Sequence, residues 1–236
     1  MTASNNYHRT ARPAQIESLE SRRLFSSVSL SSTGVLTVTG NSAVANQLTV
    51  QRSTGGTSVV ATITSGGSTL TKSFVSSKVK KVSVTGGSYG DRIDIGQRGA
   101  TFTAAAIINA GAGADVIHGG PEADLINAGD GNDSIGCGAG NDTVDAGNGS
   151  DLVHGNDGND LIHGGAGNDN LWGNNGNDTL YGEAGNDLIG NVVGTNAGYG
   201  GTGTDTFLEL RTLSASDPLN DFTVGQDMLR VQASES

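Results

Sequence analysis

The sequence predicts an all-β protein whose larger part is a solenoid coiled 18 residues to the turn, and three observations predict it. An aspartate stands at every ninth position without a miss: Asp115, Asp124, Asp133, Asp142, Asp151, Asp160, Asp169, Asp178 and Asp187, followed by Asn196 and then Asp205. Two residues after each comes an apolar residue, from Ile117, Ile126, Ile135, Val144 and Val153 through Ile162, Leu171, Leu180 and Ile189 to Phe207, with Gly198 breaking the column. Two residues before each comes glycine (Gly113, Gly131, Gly140, Gly149, Gly158, Gly167, Gly176, Gly185, Gly203), Glu122 being the exception inside the array. A fixed nine-residue period is the mark of a repeat architecture.

Each position in the unit x-G-x-G-x-D-x-U-x has a physical task. The glycines reach positive φ and let backbone approach backbone, so six residues are expected to turn sharply with their carbonyls facing a common centre. The remaining D-x-U-x is expected to form a very short strand whose single inward position is the aliphatic U. Two units close one coil, so identical positions stack between unit n and unit n+2, roughly 4.8 Å apart.

Composition supports a fold that does not rest on bulk hydrophobic burial. The chain has 236 residues, 38 of them glycine, with 34% apolar and 4% aromatic content. Leu, Ile, Val and Phe together make 51 of 236, or 22%, just above the roughly 20% below which a charged chain stays disordered. One cysteine, Cys137, excludes a disulfide framework. No run of about 18 apolar residues is present to span a membrane. Net charge is −11, which argues against a nucleic-acid partner. That charge is unevenly spread: residues 1–98 carry 11 basic and 4 acidic residues, residues 99–236 carry 2 and 20. Between Arg98 and Arg211 lie sixteen carboxylates and no Lys or Arg.

Stacking places Asp115, Asp133, Asp151, Asp169 and Asp187 in one column and Asp124, Asp142, Asp160 and Asp178 in the other. Carboxylates about 5 Å apart repel by roughly 3 kcal/mol at an effective dielectric of 20. A cation between successive turns would turn each repulsion into a bridge. Hard oxygen donors with no His or Cys in register select calcium, which takes roughly 6–8 oxygens in flexible geometry; magnesium, which demands stricter octahedra, is the weaker candidate.

The unit resembles the glycine- and aspartate-rich nonapeptide repeat of RTX, or hemolysin-type, calcium-binding proteins, and GGAGNDNLW (Gly164–Trp172) matches that pattern at every position. The resemblance covers about residues 107–208. It implies a right-handed parallel β-roll that binds multiple Ca2+ ions in its turns, in an exported bacterial protein whose repeats fold on meeting external calcium. It also implies that the Asp residues from Asp115 to Asp187 are ligands. Pairs of Asp one coil apart number seven over this span and Asp205 would add an eighth, so about seven occupied sites are expected. Pro121 and Glu122 weaken the second unit's turn, and Asn196 lacks the charge of a strong site.

The flanks divide the chain further into an N-terminal segment 1–26, a β-rich N-terminal cap region 27–104, the roll 105–208 and a C-terminal cap and tail 209–236. Alternation in Gly34–Gly40, Asn46–Arg52, Thr57–Thr64, Ser68–Val75 and Lys78–Val84 predicts half-buried antiparallel strands. Gly86–Ile95 reads as a degenerate repeat leading into the roll. DFTVGQDML (Asp221–Leu229) resembles the closing segment common after such repeats. IESLESRRLFS (Ile16–Ser26) resembles an L-E-x-R-x-L motif of some exported bacterial surface proteins; its Arg22-Arg23 pair also resembles a twin-arginine signal, but the stretch that follows is too polar for one.

No H-E-x-x-H, G-x-S-x-G or P-loop is present, so no enzyme is expected. His118 and His154 fall in one outward column two coils apart and His163 on the opposite sheet, too far apart to share a metal. Trp172 and Tyr181 are read as isolated outward aromatics, and Cys137 as a tolerated small residue. Outward Val116, Leu125, Leu152, Leu161 and Leu188 leave apolar surface for a partner or for self-association. The leading expectation is a secreted or cell-surface calcium-binding protein. The alternatives are an adhesion or matrix module binding a surface polymer or protein through a sheet face and, more weakly, a carbohydrate-active enzyme built on that face. Oligomeric state is not readable.

Overall fold

From Leu125 to Ala184 each nine-residue unit runs as a six-residue strand and a three-residue turn. The structure is a computed structural model and describes residues 26–96, 103–191, 194, 196–210, 219–220 and 227–232. The first strands are β1 (Ser27–Leu30), β2 (Val35–Thr39), β3 (Asn46–Arg52), β4 (Ser58–Ser65) and β5 (Ser68–Val75), followed by a 3-10 turn at Ser76–Lys78. Next come β6 (Lys81–Gly87), β7 (Arg92–Ile95), β8 (Ala106–Ala112) and β9 (Val116–His118). The regular series is β10 (Leu125–Asp130), β11 (Ser134–Ala139), β12 (Thr143–Asn148), β13 (Leu152–Asp157), β14 (Leu161–Ala166), β15 (Asn170–Asn175) and β16 (Thr179–Ala184). It closes with β17 (Leu188–Asn191), β18 (Ala197–Thr202), β19 (Thr206–Leu210), β20 (Leu219–Asn220) and β21 (Met228–Gln232).

From β6 onward successive strands go alternately to two sheets. One runs β1-β2-β6-β8-β10-β12-β14-β16-β18-β20, the other β21-β19-β17-β15-β13-β11-β9-β7-β3-β4-β5. Register steps by 18: Leu125 faces Thr143, Thr143 faces Leu161, and Leu161 faces Thr179. All pairs in this series are parallel, which makes the molecule a parallel β-solenoid of the β-roll kind.

Two readings of the unit change. The strand is six residues long and the turn three, because the first glycines of each unit continue the strand and pair with the next coil (Gly129 with Gly147, Gly147 with Gly165). The strand therefore has two inward positions. The aliphatic U is one; the other lies two residues on, where Ala128, Cys137 and Ala146 are buried and later units place glycine. Only a small side chain fits there, which is why the position escaped a search for hydrophobic residues.

The core is the stacked U column of each sheet, with Ile117, Ile126, Val144, Val153, Ile162, Leu171 and Leu180 all at 0% exposure. Where Gly198 interrupts the column, the Phe207 ring fills the gap: a Cβ at Gly198 would lie 3.3 Å from that ring and from the Ile189 side chain. At the glycine two residues before each Asp the reason for glycine is direct. Gly149 has φ 142° and a Cβ there would collide with the Gly131 carbonyl of the preceding coil.

Antiparallel pairing in residues 27–95 holds only at the outside, in β1–β2 and β3–β4–β5. β2 joins β6 and β3 joins β7 in parallel, so rungs of the solenoid reach back before residue 105. Alternation reports that one face is buried; it carries no information on strand direction. The core is continuous from Val28 to Phe207. At this end the edges are managed: β5 is largely exposed, and Lys72 Nζ donates to the Val28 carbonyl at 2.7 Å, tying the two sheets together. Ile16–Phe25 and residues 221–226 lie outside the described residues; Asp227 lies within them, and β21 pairs with β19 in parallel.

Leu171→Ala, at a fully buried U position, is expected to cost about 2–5 kcal/mol of stability. Leu152→Ser, on the outward face at 37% exposure, is expected to stay within about 0.5 kcal/mol. Equilibrium denaturation of the two variants checks the assignment, and equal losses would contradict it.

Candidate metal centre

Each repeat Asp is the last residue of its turn, immediately before a strand, and its side chain is turned inward. Every one from Asp115 to Asp187, and Asp205, is at most 3% exposed. One carboxylate oxygen has a fixed task. Oδ1 accepts a hydrogen bond from the backbone N–H of the Asp one coil earlier: Asp133 Oδ1 from Asp115 at 2.7 Å, Asp151 from Asp133 at 2.7 Å, Asp169 from Asp151 at 2.8 Å, Asp187 from Asp169 at 2.9 Å, and Asp205 from Asp187 at 2.9 Å. The opposite column repeats this through Asp142, Asp160 and Asp178. Asn196 keeps the same bond to Asp178 N–H at 2.7 Å, since an amide oxygen accepts as a carboxylate does. The two columns contain the residues that stacking placed in them.

The second oxygen has no such task. Oδ2 of Asp115, Asp133, Asp142, Asp151, Asp160, Asp169, Asp178 and Asp187 is buried without a hydrogen-bond partner. Asp124 differs: the Gly120 N–H, in the turn carrying Pro121 and Glu122, donates to its Oδ2 at 2.6 Å, while Ala106 N–H donates to its Oδ1. Both its oxygens are engaged.

In the later units Oδ2 sits over the glycine five residues earlier. A Cβ at Gly164 would lie 2.6 Å from Asp169 Oδ2 and 3.0 Å from the Gly182 carbonyl oxygen; at Gly155 it would strike Asp160 Oδ2 and approach the Gly173 carbonyl at 2.7 Å. The absent side chain leaves a cradle between a carboxylate oxygen and a carbonyl oxygen of the next coil. In earlier units Ala110, Ala128, Cys137 and Ala146 occupy this position and are buried. Cys137, read as a tolerated small residue, is a core residue whose thiol burial pushes well above its usual value, with Asp142 and Asp160 adding to the shift.

Burial is the largest influence on the column. It pushes the carboxyls of Asp115, Asp142 and Asp187 up to about 7 and those of Asp133, Asp169 and Asp178 up to about 6, against the opposing pull of the backbone N–H each accepts. Neighbours in the same column raise them further, as Asp133 does Asp115 and Asp205 does Asp187. Asp124, Asp151 and Asp160 are raised by burial as well.

The donor set fits a hard divalent cation. Among the described residues no three His, Cys, Asp or Glu side chains converge, so an ion in the turns would take one or two carboxylate oxygens and complete its shell with backbone carbonyls and water. That is oxygen chemistry suited to calcium.

Two functional features escaped the sequence reading. Asn precedes many of the repeat aspartates, and its side chain forms a second ladder running the opposite way: Asn132 Oδ1 accepts from Ser150 N–H, Asn141 from Asn159, Asn159 from Asn177 and Asn168 from Asn186, all at 2.8–2.9 Å. The recurring N-D pair was the available signal. The outward rings are stacked, correcting their reading as isolated: His163 on Tyr181 at 4.8 Å, Tyr181 on Tyr199 at 4.5 Å, and His154 beside Trp172 at 6.4 Å. Gly136 separates His118 from His154 in register, and His163 is on the other sheet, as spacing required.

Residues 104–135, 138–162 and 154–189 match the family model described as RTX calcium-binding nonapeptide repeat (4 copies). No curated protein and no solved structure matches the chain significantly. The stretch 104–189 is thus an RTX repeat segment, and it coincides with the stacked carboxylates.

The raised carboxyls set a pH dependence. In the unfolded chain they lose protons near 3.8, whereas the folded chain holds them until about 6–7. The metal-free fold therefore has this contribution in full below pH 4 and loses it as pH rises to about 7. Thermal melts in chelator are expected to show a lower Tm at pH 7.5 than at pH 4.5; a Tm that rises over that range would contradict the burial of these groups.

Proposed function

We propose, taking the RTX repeat segment as premise, that the protein is an exported calcium-binding protein whose ions sit between successive turns, on the repeat aspartates and the carbonyls stacked with them. One observation carries this reading: a row of buried Oδ2 oxygens, each without a hydrogen-bond donor. A buried carboxylate oxygen with nothing to satisfy it costs the fold free energy unless a cation or proton meets it. The ligands are Asp115, Asp133, Asp142, Asp151, Asp160, Asp169, Asp178, Asp187 and Asp205. Asp124, with both oxygens already held by amides, is the weakest candidate of the expected set, and about seven ions remain the expected load.

In this reading residues 105–208 form the calcium-dependent roll, 27–104 its N-terminal cap, 209–236 its C-terminal cap, and 1–26 a leading segment. Export follows from the need for calcium: at cytosolic concentrations the columns would stay unfilled. The role is structural and non-enzymatic. Adhesion through a sheet face is the second reading, favoured by the stacked rings His163, Tyr181 and Tyr199 and by Leu125 and Leu152, which are 49% and 37% exposed. Binding to glycan or cell-wall arrays would separate it from a purely structural role.

Calcium at about 100 times its Kd should add about 2.7 kcal/mol per independent site, so chelation is expected to lower Tm sharply at neutral pH. Asp151→Ala removes one unpartnered Oδ2 and the acceptor of Asp133 N–H, and should cost about 1–3 kcal/mol even without metal while lowering the number of ions bound. Calorimetric titration of the wild type and this variant checks both statements. A wild type that binds no calcium would refute the proposal.

A further inference from the structure

The column that contains Asp115 does not begin there. Asp91 stands one rung earlier, 24 residues away because the chain between β7 and β8 is longer than in the repeats, and outside the residues that match the repeat family. Register is unbroken: Arg92 faces Val116 and Ile93 faces Ile117. Asp91 N–H donates to Asp115 Oδ1 at 2.5 Å, the bond that ties each repeat to the next.

Asp91 also turns its second oxygen inward. It is 2% exposed, and its Oδ2 is buried with no hydrogen bond of good geometry; burial raises its carboxyl, and the backbone N–H groups of Asn46 and Gly87 pull the other way. The cradle is present as well. Five residues earlier stands Gly86, where a Cβ would strike both Asp91 Oδ2 and the Ala110 carbonyl oxygen, the counterpart of the Gly173 carbonyl at the Asp160 cradle. The guanidinium of the adjacent Arg92 is turned to Asp94, 4.0 Å from its Oδ2. Oδ1 is fixed by Asn46, whose backbone N–H and Nδ2 donate to it at 2.6 and 2.8 Å.

Asn46 explains where the column stops. It occupies the Asp position of the preceding rung, Gln47 facing Arg92. Its amide is fully used: Oδ1 accepts from Asn41 N–H, and the two Nδ2 hydrogens are shared among Asp91 Oδ1 and the Asn41 and Val44 carbonyls. No oxygen is left over there. A groove lined by Asn46, Gly66, Gly67, Gly90, Asp91 and Ala114 opens beside this rung.

We propose that Asp91 Oδ2 and the Ala110 carbonyl form part of a further divalent-cation site, for calcium, at the N-terminal end of the roll and outside the recognised repeats. It rests on the calcium reading above and extends it: the ion joins the cap to the first repeat rung, so calcium would order residues 87–91 and 111–115 together.

The test is calcium stoichiometry of the full chain by equilibrium dialysis and titration calorimetry for wild type, Asp91→Asn and Asp151→Asn. Asparagine keeps the Oδ1 acceptor for Asn46. The expected result is one fewer ion in Asp91→Asn with the far-ultraviolet spectrum unchanged, and a loss in Asp151→Asn too. If wild type and Asp151→Asn behave as the calcium reading requires but Asp91→Asn binds as many ions as wild type with unchanged affinity, this site is refuted and that reading stands. If the wild type binds none, both fall. Should Asp91→Asn not fold, terbium replaces calcium: Tyr89, exposed and two residues from Asp91, should sensitise an ion bound there. Tyr89→Phe should reduce 280 nm-excited terbium emission at unchanged terbium stoichiometry, and emission equal to wild type would overturn the proposal.

Discussion

The whole architecture depends on a carboxylate turned into the protein to accept a backbone N–H from the coil before it. That bond does several things at once. It fixes which positions stack, because donor and acceptor are the same position one coil apart, whether the coil is 18 residues long or, from Asp91 to Asp115, 24. It fixes the side chain inward, so the carboxylate's other oxygen is withdrawn from water with it. It also demands a short side chain: Asp reaches a neighbouring rung about 4.8 Å away, and Glu would overshoot. The preference for Asp within the array and the nine-residue period are two faces of this constraint.

A fold built this way is stable only if the second oxygen is answered. Burial and column neighbours raise the carboxyls towards neutrality, so protons can answer it at low pH. At neutral pH a divalent cation can, and about seven of them would offset most of the charge of the sixteen carboxylates that lie between Arg98 and Arg211 without a lysine or arginine. The core alone is narrow, one aliphatic residue and one small residue per strand, and the Asn and Asp ladders run in opposite directions along the turns to hold its layers in register. Coupling the missing stabilisation to an ion makes folding respond to the surroundings.

The repeat, its period, the two Asp columns and the inward aliphatics were legible because each is a single residue type at fixed spacing. The six-residue strand was not, since glycine in a strand is disfavoured on propensity and reads as turn; the pairing of Gly129 with Gly147 depends on a neighbour 18 residues away. Parallel pairing of β2 with β6 was hidden for a similar reason, because alternation is blind to direction. Asp91 lies in the segment read as a degenerate repeat but was not placed in an Asp column, because its spacing of 24 breaks the period while the three-dimensional register persists. That Pro121 and Glu122 weaken the second unit's turn was legible, but the form this takes was not: the geometry of the Gly120–Glu122 turn puts an amide on the second oxygen of Asp124. The compensation of Gly198 by Phe207 lies across the core and has no local signature at all.

The most direct measurement is a crystallographic anomalous-difference map of calcium-saturated protein. The account expects rows of peaks along both turn edges, each about 2.3–2.6 Å from a repeat Oδ2. Peaks only at outward carboxylates such as Asp130, Asp145 and Asp157, or none along the columns, would contradict it.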